Sequence, residues 1–541
     1  MEGSFDYIVV GAGSAGCVLA NRLTADGRYR VLLLEAGPED RNLWIHVPIG
    51  YAKLFTDARQ NWLYNSEPEP ELGGRSIIQP RGKVMGGSSS INGLLYIRGQ
   101  AEDFDHWRQL GNTGWSFDDV LPYFRRAEDQ SRGEDELHGV GGPLSVSDVS
   151  ETHPVCDAFI AACEQAGLPR TDDFNGKSQE GAGYFQLTTR NGRRWSTARG
   201  YLKPVRRRPN LRVVSSALTT RILFEGRRAV GVEYTQGGTT HRPRANAEVI
   251  LASGAFNSPQ LLQLSGVGPA DLLREHGIAV IADMPGVGAD LQDHYQARFN
   301  YRCSERVTMN DMMNSLTGRV TAGLRYALFR KGFLTVGAGY AGGFFKTDPA
   351  LPTPDVQFHF ILFSADAVGQ KLHPWPGFLA SICQLRPESR GFVRIKSADP
   401  AQAPAIQPRY MSAPHDRDVM TKGMQLLRRV MRQPALSRYI VEELVPGPKV
   451  ASDAELLEFA RQKGTTVFHP TSTCRMGSDV TAVVDERLRV HGFQGLRVAD
   501  GSIMPTVVSG NTNAACIMIG EKASDMILQD ATAMAPAAAA A

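Results

Sequence analysis

Three features of the 541-residue sequence predict an α/β fold made of two intertwined domains. An apolar run near the N-terminus meets three glycines and passes at once into an amphipathic segment. Between about 296 and 455 the pattern changes to alternating strands and a long helical stretch. Glycine-rich motifs then return from Phe468 onward. The first and last features belong to one Rossmann-type domain, and the middle one to an α+β domain inserted in it. A chain this long exceeds one ordinary core, as two domains require.

The N-terminal stretch is Tyr7-Ile8-Val9-Val10-Gly11-Ala12-Gly13-Ser14-Ala15-Gly16. Gly11 permits the tight turn, Gly13 lets the backbone approach a pyrophosphate, and Gly16 lets the helix pack on the strand. Bare N–H groups and the positive dipole end of the helix then bind the anion. A second strand, in the stretch Tyr29 to Gly37, ends in an acid, Glu35, followed by Ala36, at the offset expected of a residue that accepts from a ribose diol. A glycine turn without a ligand is the alternative. The order strand, glycines, helix, strand, acid argues against it.

Composition excludes several classes. A formal net charge of +3 with 21% charged residues gives no footprint for nucleic acid, and Arg206-Arg207-Arg208 is too short a run to supply one. Seven cysteines scattered singly argue for a reducing, cytoplasmic compartment and against a zinc site or disulfide framework. The strand begins within six residues of Met1, which leaves no room for a cleavable apolar leader. No window is apolar enough to span a membrane, and peripheral attachment to its inner face stays open. The alanine-rich stretch 531–541 is expected to be disordered.

Along the chain, residues 41–71 carry Trp44, His46, Phe55, Trp62 and Tyr64 in an irregular segment, which suits a lid over a flat ligand. Arg81 to Gly93 holds two adjacent glycines and three serines, a backbone able to lie flat and donate hydrogen bonds. Two short helices are expected around a break at 111–114, and a β-meander from Leu211 to Tyr234. The expected first-domain segments are 1–154, 193–295 and 456–530. The second domain takes 155–192 and 296–455.

With these stretches in view, the chain resembles the glucose–methanol–choline (GMC) family of FAD-dependent oxidoreductases over nearly its whole length, in its choline-dehydrogenase-like and alcohol-dehydrogenase-like branch. One family signature is recognisable from Gly82 to Gly99, with Met85 where leucine is usual, and a second from Gly254 to Gly268. The resemblance implies a Rossmann-type FAD-binding domain with an inserted α+β substrate domain built on an antiparallel sheet. It implies FAD contacts from Gly11, Gly13, Ser14, Ala15, Gly16, Glu35, Ala36, Trp62, Arg81, Gly86, Gly87, Ser88, Asn92, Gly93, Leu94, Thr219, Asp500, Gly501, Asn511 and Thr512. Some members hold flavin covalently through a histidine just before the asparagine matching Asn92. Ile91 stands there and has no nucleophile, so non-covalent FAD is expected.

His469, in Phe468-His469-Pro470-Thr471-Ser472, matches the family's catalytic histidine. An alcohol gives up hydride as its O–H proton leaves, and a neutral imidazole suits that proton near pH 7. The expected reaction is oxidation of a primary alcohol to the aldehyde, with hydride passing to flavin N5. Asn511 takes the family's second catalytic position, with Asn513 as its rival. His294 reads as structural. The candidate substrate pocket is Tyr340, His359 and Phe468, with His359 facing either core or pocket. Tyr340 stands where choline-oxidising members carry a glutamate, which argues against choline and for a neutral aliphatic or aromatic alcohol. The resemblance also implies a quinone or other non-oxygen acceptor. Choline dehydrogenation, an O2-using oxidase and a hydroxynitrile lyase on the same fold are the alternatives.

Overall fold

A computed structural model describes residues 3–367 and 369–538, with side chains described as far as 533. Strand β1 (Ser4–Val10), helix α1 (Ser14–Leu23) and strand β2 (Val31–Leu34) form the first unit, in the order the glycines predict. β1 lies parallel between β2 and Arg244–Leu251. β2 also pairs in parallel with Leu211–Val214, and Arg244–Leu251 with Leu496–Val498. All four side chains of β2 are buried, as the unbroken apolar run of a parallel strand covered on both faces requires. Leu211–Val214 therefore belongs to the parallel sheet, which corrects the expected meander. The meander itself runs Leu218–Glu225, Arg228–Gln236 and Thr239–His241.

The second sheet is antiparallel, in the order Ile440–Val445, Tyr295–Cys303, Gly377–Gln384, Val356–Ile361, Ala341–Phe345 and Gly181–Tyr184, with Thr465–Thr466 pairing at the start of Tyr295–Cys303. One face packs Phe299, Phe358, Phe360 and Ile382 with residues of helices Pro154–Gln165 and Pro414–Met431 in a single apolar cluster. Side chains alternate across a strand. The other face therefore carries Arg298, Ser381 and His359 side by side on three neighbouring strands.

A long helix, Asn513–Ala538, packs on α1 so closely that a Cβ on Gly520 would stand 2.9 Å from the Ala15 carbonyl. Buried Glu521 clamps this contact by accepting from Arg22 and from the Tyr201 hydroxyl at 2.8 Å each. The N-terminus of the helix is thereby held beside the first glycine turn. The helix is described as far as Ala538, as alanine's high helix propensity favours. Residues 539–541 lie outside the described residues. The expected antiparallel insertion is present, but Thr465–Thr466 extends its sheet beyond residue 455.

Candidate active site

A cavity of about 820 Å³ runs from the first glycine turn to the free face of the antiparallel sheet. At one end lie Gly11, Gly13, Ser14, Ala15, Glu35, Ala36 and Thr219. Gly13 caps α1 without a side-chain bond, which leaves first-turn N–H groups for an anion. Gly11 has φ +100°, and a Cβ there would stand 2.6 Å from the Ala252 carbonyl. A Cβ on Gly87 would come 2.7 Å from Gly13 Cα, so the two glycine-rich segments touch backbone to backbone. Glu35 accepts from Ala12 N and Gly37 N at 2.9 Å each, and burial pushes its carboxyl up to about 7. Ser14 donates to Asn513 Oδ1 at 2.7 Å.

The middle of the cavity is walled by Trp62, Arg81, Gly87, Ser88, Ile91, Asn92, Gly93 and Leu94, and by Asp500, Gly501 and Thr512. Trp44, Tyr51 and Phe55 join them from the 41–71 segment, while Tyr64 is packed in the core. Asp500 is engaged by the protein itself: it accepts from Gly254 N, Ser258 Oγ, Ser502 N and Ser502 Oγ. Two expected cofactor contacts lie off the wall. Gly16 sits inside the turn, where a Cβ would strike the Gly11 carbonyl at 1.8 Å. Gly86 donates its N–H to the Ala12 carbonyl at 2.7 Å, and a Cβ there would meet Ser90 Oγ. Both shape the cradle without facing it.

At the far end His469 meets Asn511. Asn511 Nδ2 lies 3.1 Å from His469 Nε2, and His469 Nδ1 lies 3.0 Å from His294 Nδ1. His294 Nε2 lies 2.9 Å from the Leu385 carbonyl. A carbonyl only accepts, so His294 carries its proton on Nε2 and leaves Nδ1 bare. His469 must then donate from Nδ1, which leaves the Nε2 lone pair at the cavity. Gln357 Nε2 donates to Asn511 Oδ1 at 3.3 Å, which turns the Asn511 amide N–H groups towards that lone pair. Every partner fixes the same direction. Asp293 holds the loop by accepting from His469 N at 2.7 Å, Thr466 Oγ1 at 2.5 Å and the Tyr410 hydroxyl. Burial keeps His294 near 4 and, helped by the neighbouring His294 and His359, His469 well below the ordinary histidine range.

His294, expected from the sequence to be structural, lies against His469. Asn511, and not Asn513, reaches His469. Phe468 lines the cavity with φ 70° and packs edge-on against Phe55. His359 also faces the cavity, where burial and then Arg298 hold it down near 3. Tyr340 does not: its hydroxyl donates to the Glu151 carbonyl at 2.6 Å, and its ring lies against Tyr184 and His153. Its side chain points to the helix-covered face, and Ala338 reaches the cavity instead. The argument against choline from Tyr340 therefore falls.

Family models described as GMC oxidoreductase match residues 5–296 and 387–520. The chain belongs to the GMC oxidoreductase family. It is similar to an alcohol dehydrogenase [acceptor] of Pseudomonas putida, 43% identical over 97% of this chain and 96% of that protein. It is 44% identical to the mitochondrial choline dehydrogenase of Homo sapiens, over 97% of this chain and 89% of that one. In structure it matches an FAD-dependent oxidoreductase from Chaetomium thermophilum with a TM-score of 0.90, at 28% identity over 98% and 100% of the two chains. The protein is an FAD-dependent oxidoreductase acting on CH–OH donors.

The residues present fit FAD. The backbone-to-backbone cradle at Gly11, Gly13 and Gly87 has no room for a Cβ, and Thr219 Oγ1 is buried at the same end without a protein partner. Ile91 lines the wall where a covalent link would form and offers no nucleophile. Cys474, near His469 in sequence, is a buried thiol pushed well above its ordinary range, which leaves it inert.

Proposed function

We propose that the enzyme oxidises a primary alcohol to the aldehyde with His469 as the catalytic base. The observation that supports this most is the unprotonated His469 Nε2 at the cavity, its tautomer held by His294 and its lone pair facing the Asn511 amide. Bound FAD supplies the hydride acceptor. His469 Nε2 takes the hydroxyl proton, and Asn511 Nδ2 orients the same oxygen without competing for it. The resulting positive imidazole keeps its Nδ1–H on the neutral His294 acceptor. Acidic residues on the cavity wall are Glu35 and Asp500, both already bonded to backbone N–H groups. Neither is placed to hold a quaternary ammonium, so an aliphatic or aromatic alcohol without a cationic group fits the cavity better than choline. Anaerobic mixing with hexanol, benzyl alcohol and choline tests this: the neutral alcohols should bleach the flavin. Failure of every alcohol with FAD still bound would favour a lyase on this fold.

The acceptor reading is a membrane-borne quinone. Among the described residues no helix is long and apolar enough to cross a membrane. Helix Leu316–Phe329, however, leaves Leu316, Val320, Leu324, Leu328 and Phe329 each more than half exposed. Four of these recur every four residues, on one face. Arg319, Arg325, Arg330 and Lys331 accompany them, with no acid from 312 to 331. That pairing of an apolar stripe with basic flanks suits an anionic lipid surface. Met309, Met313 and Asn314, just before the helix, line the cavity. Co-sedimentation with phosphatidylglycerol vesicles, lost in Leu324→Glu/Leu328→Glu, is the expected result.

A further inference from the structure

Arg298, partly exposed to the cavity, differs from the buried arginines, of which Arg194 donates to the Ile45, Ser89 and Asn92 carbonyls and the others meet acids. Arg98 meets Glu128 at 2.5 Å, Arg428 meets Glu443 at 2.5 Å, and Arg497 meets Glu248 and Asp530 at 2.6 Å. Arg81, on the same cavity wall, donates to the Phe468 and Pro80 carbonyls. Arg298 has no ion-pair partner among the described residues, and its enclosed Nε has no hydrogen-bond partner. It sits mid-strand in Tyr295–Cys303, in register with Ser381, which is in register with His359. All three line the cavity that contains His469 and Asn511. Met309, Ile361, Phe363 and Leu379 line the same cavity, as does Gln296 on the Arg298 strand.

A guanidinium that faces a cavity with no counter-charge beside it is poorly compensated, and its planar fork matches a carboxylate. An anionic group on what enters the cavity would supply the counter-charge. We infer that Arg298 is the carboxylate-binding residue of the substrate cavity, and that the alcohol oxidised here carries a carboxylate remote from its hydroxyl. The inference rests on the alcohol-oxidising reading of the same cavity and adds the substrate's second functional group.

Sheet geometry gives the scale. Gln357, which touches Asn511, lies two strands and two residues from Arg298 in register. At strand spacings of ~4.8 Å and rises of ~3.3 Å, the backbones stand about 12 Å apart. Side chains reaching in from both ends leave a span suited to one aromatic ring or a short methylene chain. A hydroxymethyl-arylcarboxylate or an ω-hydroxy acid has that form. Choline carries a charge of the same sign as Arg298 and is disfavoured on the same ground.

The test uses holoenzyme, with 4-(hydroxymethyl)benzoate and 6-hydroxyhexanoate set against their methyl esters. Anaerobic flavin reduction gives an apparent Kd for each. Each acid should bind at least about tenfold more tightly than its ester. Arg298→Gln should collapse that ratio towards one, and Arg298→Lys should keep part of it. Equal affinities in the wild type, or an unchanged ratio in Arg298→Gln, would overturn the inference. Benzoate, which has no hydroxyl to lose, gives an independent readout through the spectrum of the oxidised flavin. If no alcohol reduces the flavin, the oxidation reading fails. Benzoate binding to the wild type but not to Arg298→Gln would still uphold the anion subsite, and absence of benzoate binding would refute it.

Discussion

The Nδ1 atoms of His294 and His469 lie 3.0 Å apart, and the Leu385 carbonyl decides which of them carries the proton. Removing the His294 acceptor frees the His469 ring to take the other tautomer, with its proton on Nε2 and no lone pair for the substrate. His294→Leu should slow flavin reduction by roughly 10- to 100-fold while FAD content stays at the wild-type level. Rapid anaerobic mixing reads the rate. An unchanged rate would assign His294 to packing alone.

Acid should destabilise the protein through the same cluster. Burial lowers His294 from 6.5 to about 4 and His359 to about 3. The unfolded chain binds these protons first, so the stabilisation is full above the unfolded value and is lost as pH falls towards the folded ones. For His294 alone the shift corresponds to roughly 3 kcal/mol at about 1.4 kcal/mol per unit. Tm should decline between pH 6.5 and 4, and less steeply in His294→Gln, which does not titrate.

Glu35 should not tolerate its isosteric amide. Both carboxylate oxygens accept backbone N–H groups, from Ala12 and Gly37. Glu35→Gln turns an NH2 group on one of those donors, at a cost of about 1–3 kcal/mol. Weaker FAD retention on dilution, with a lower Tm, is the expected result.

Gly87→Ala should separate the two glycine-rich segments. The added Cβ would stand 2.7 Å from Gly13 Cα, and Gly87 already has φ +52°. The protein should purify largely colourless. FAD content, from absorbance after denaturation, measures the loss. In the wild type the same assay should release all the flavin into the acid supernatant, as Ile91 requires.

Much of the cofactor half was legible because its requirements are local. Gly11, Gly13 and Glu35 act through backbone geometry within one βαβ unit, and the sequence order of that unit is its structure. His469 and Asn511 were legible through their motifs. The partners that give those residues their chemistry were not, because His294, Gln357 and Leu385 arrive from other strands of the inserted sheet. Tyr340 was misplaced because it precedes the strand Ala341–Phe345, where the direction of a side chain is not given by alternation. Arg298 drew no notice because an arginine in an alternating strand reads as a solvent-facing residue. The sheet's second face is covered here by a cavity instead.

The most direct measurement is anaerobic flavin reduction by a saturating alcohol in wild-type enzyme and in His469→Ala, at matched FAD content. Loss of the proton acceptor should slow reduction by about 10²–10⁴-fold while the flavin stays bound. Reduction at the wild-type rate in His469→Ala would contradict the assignment of the base.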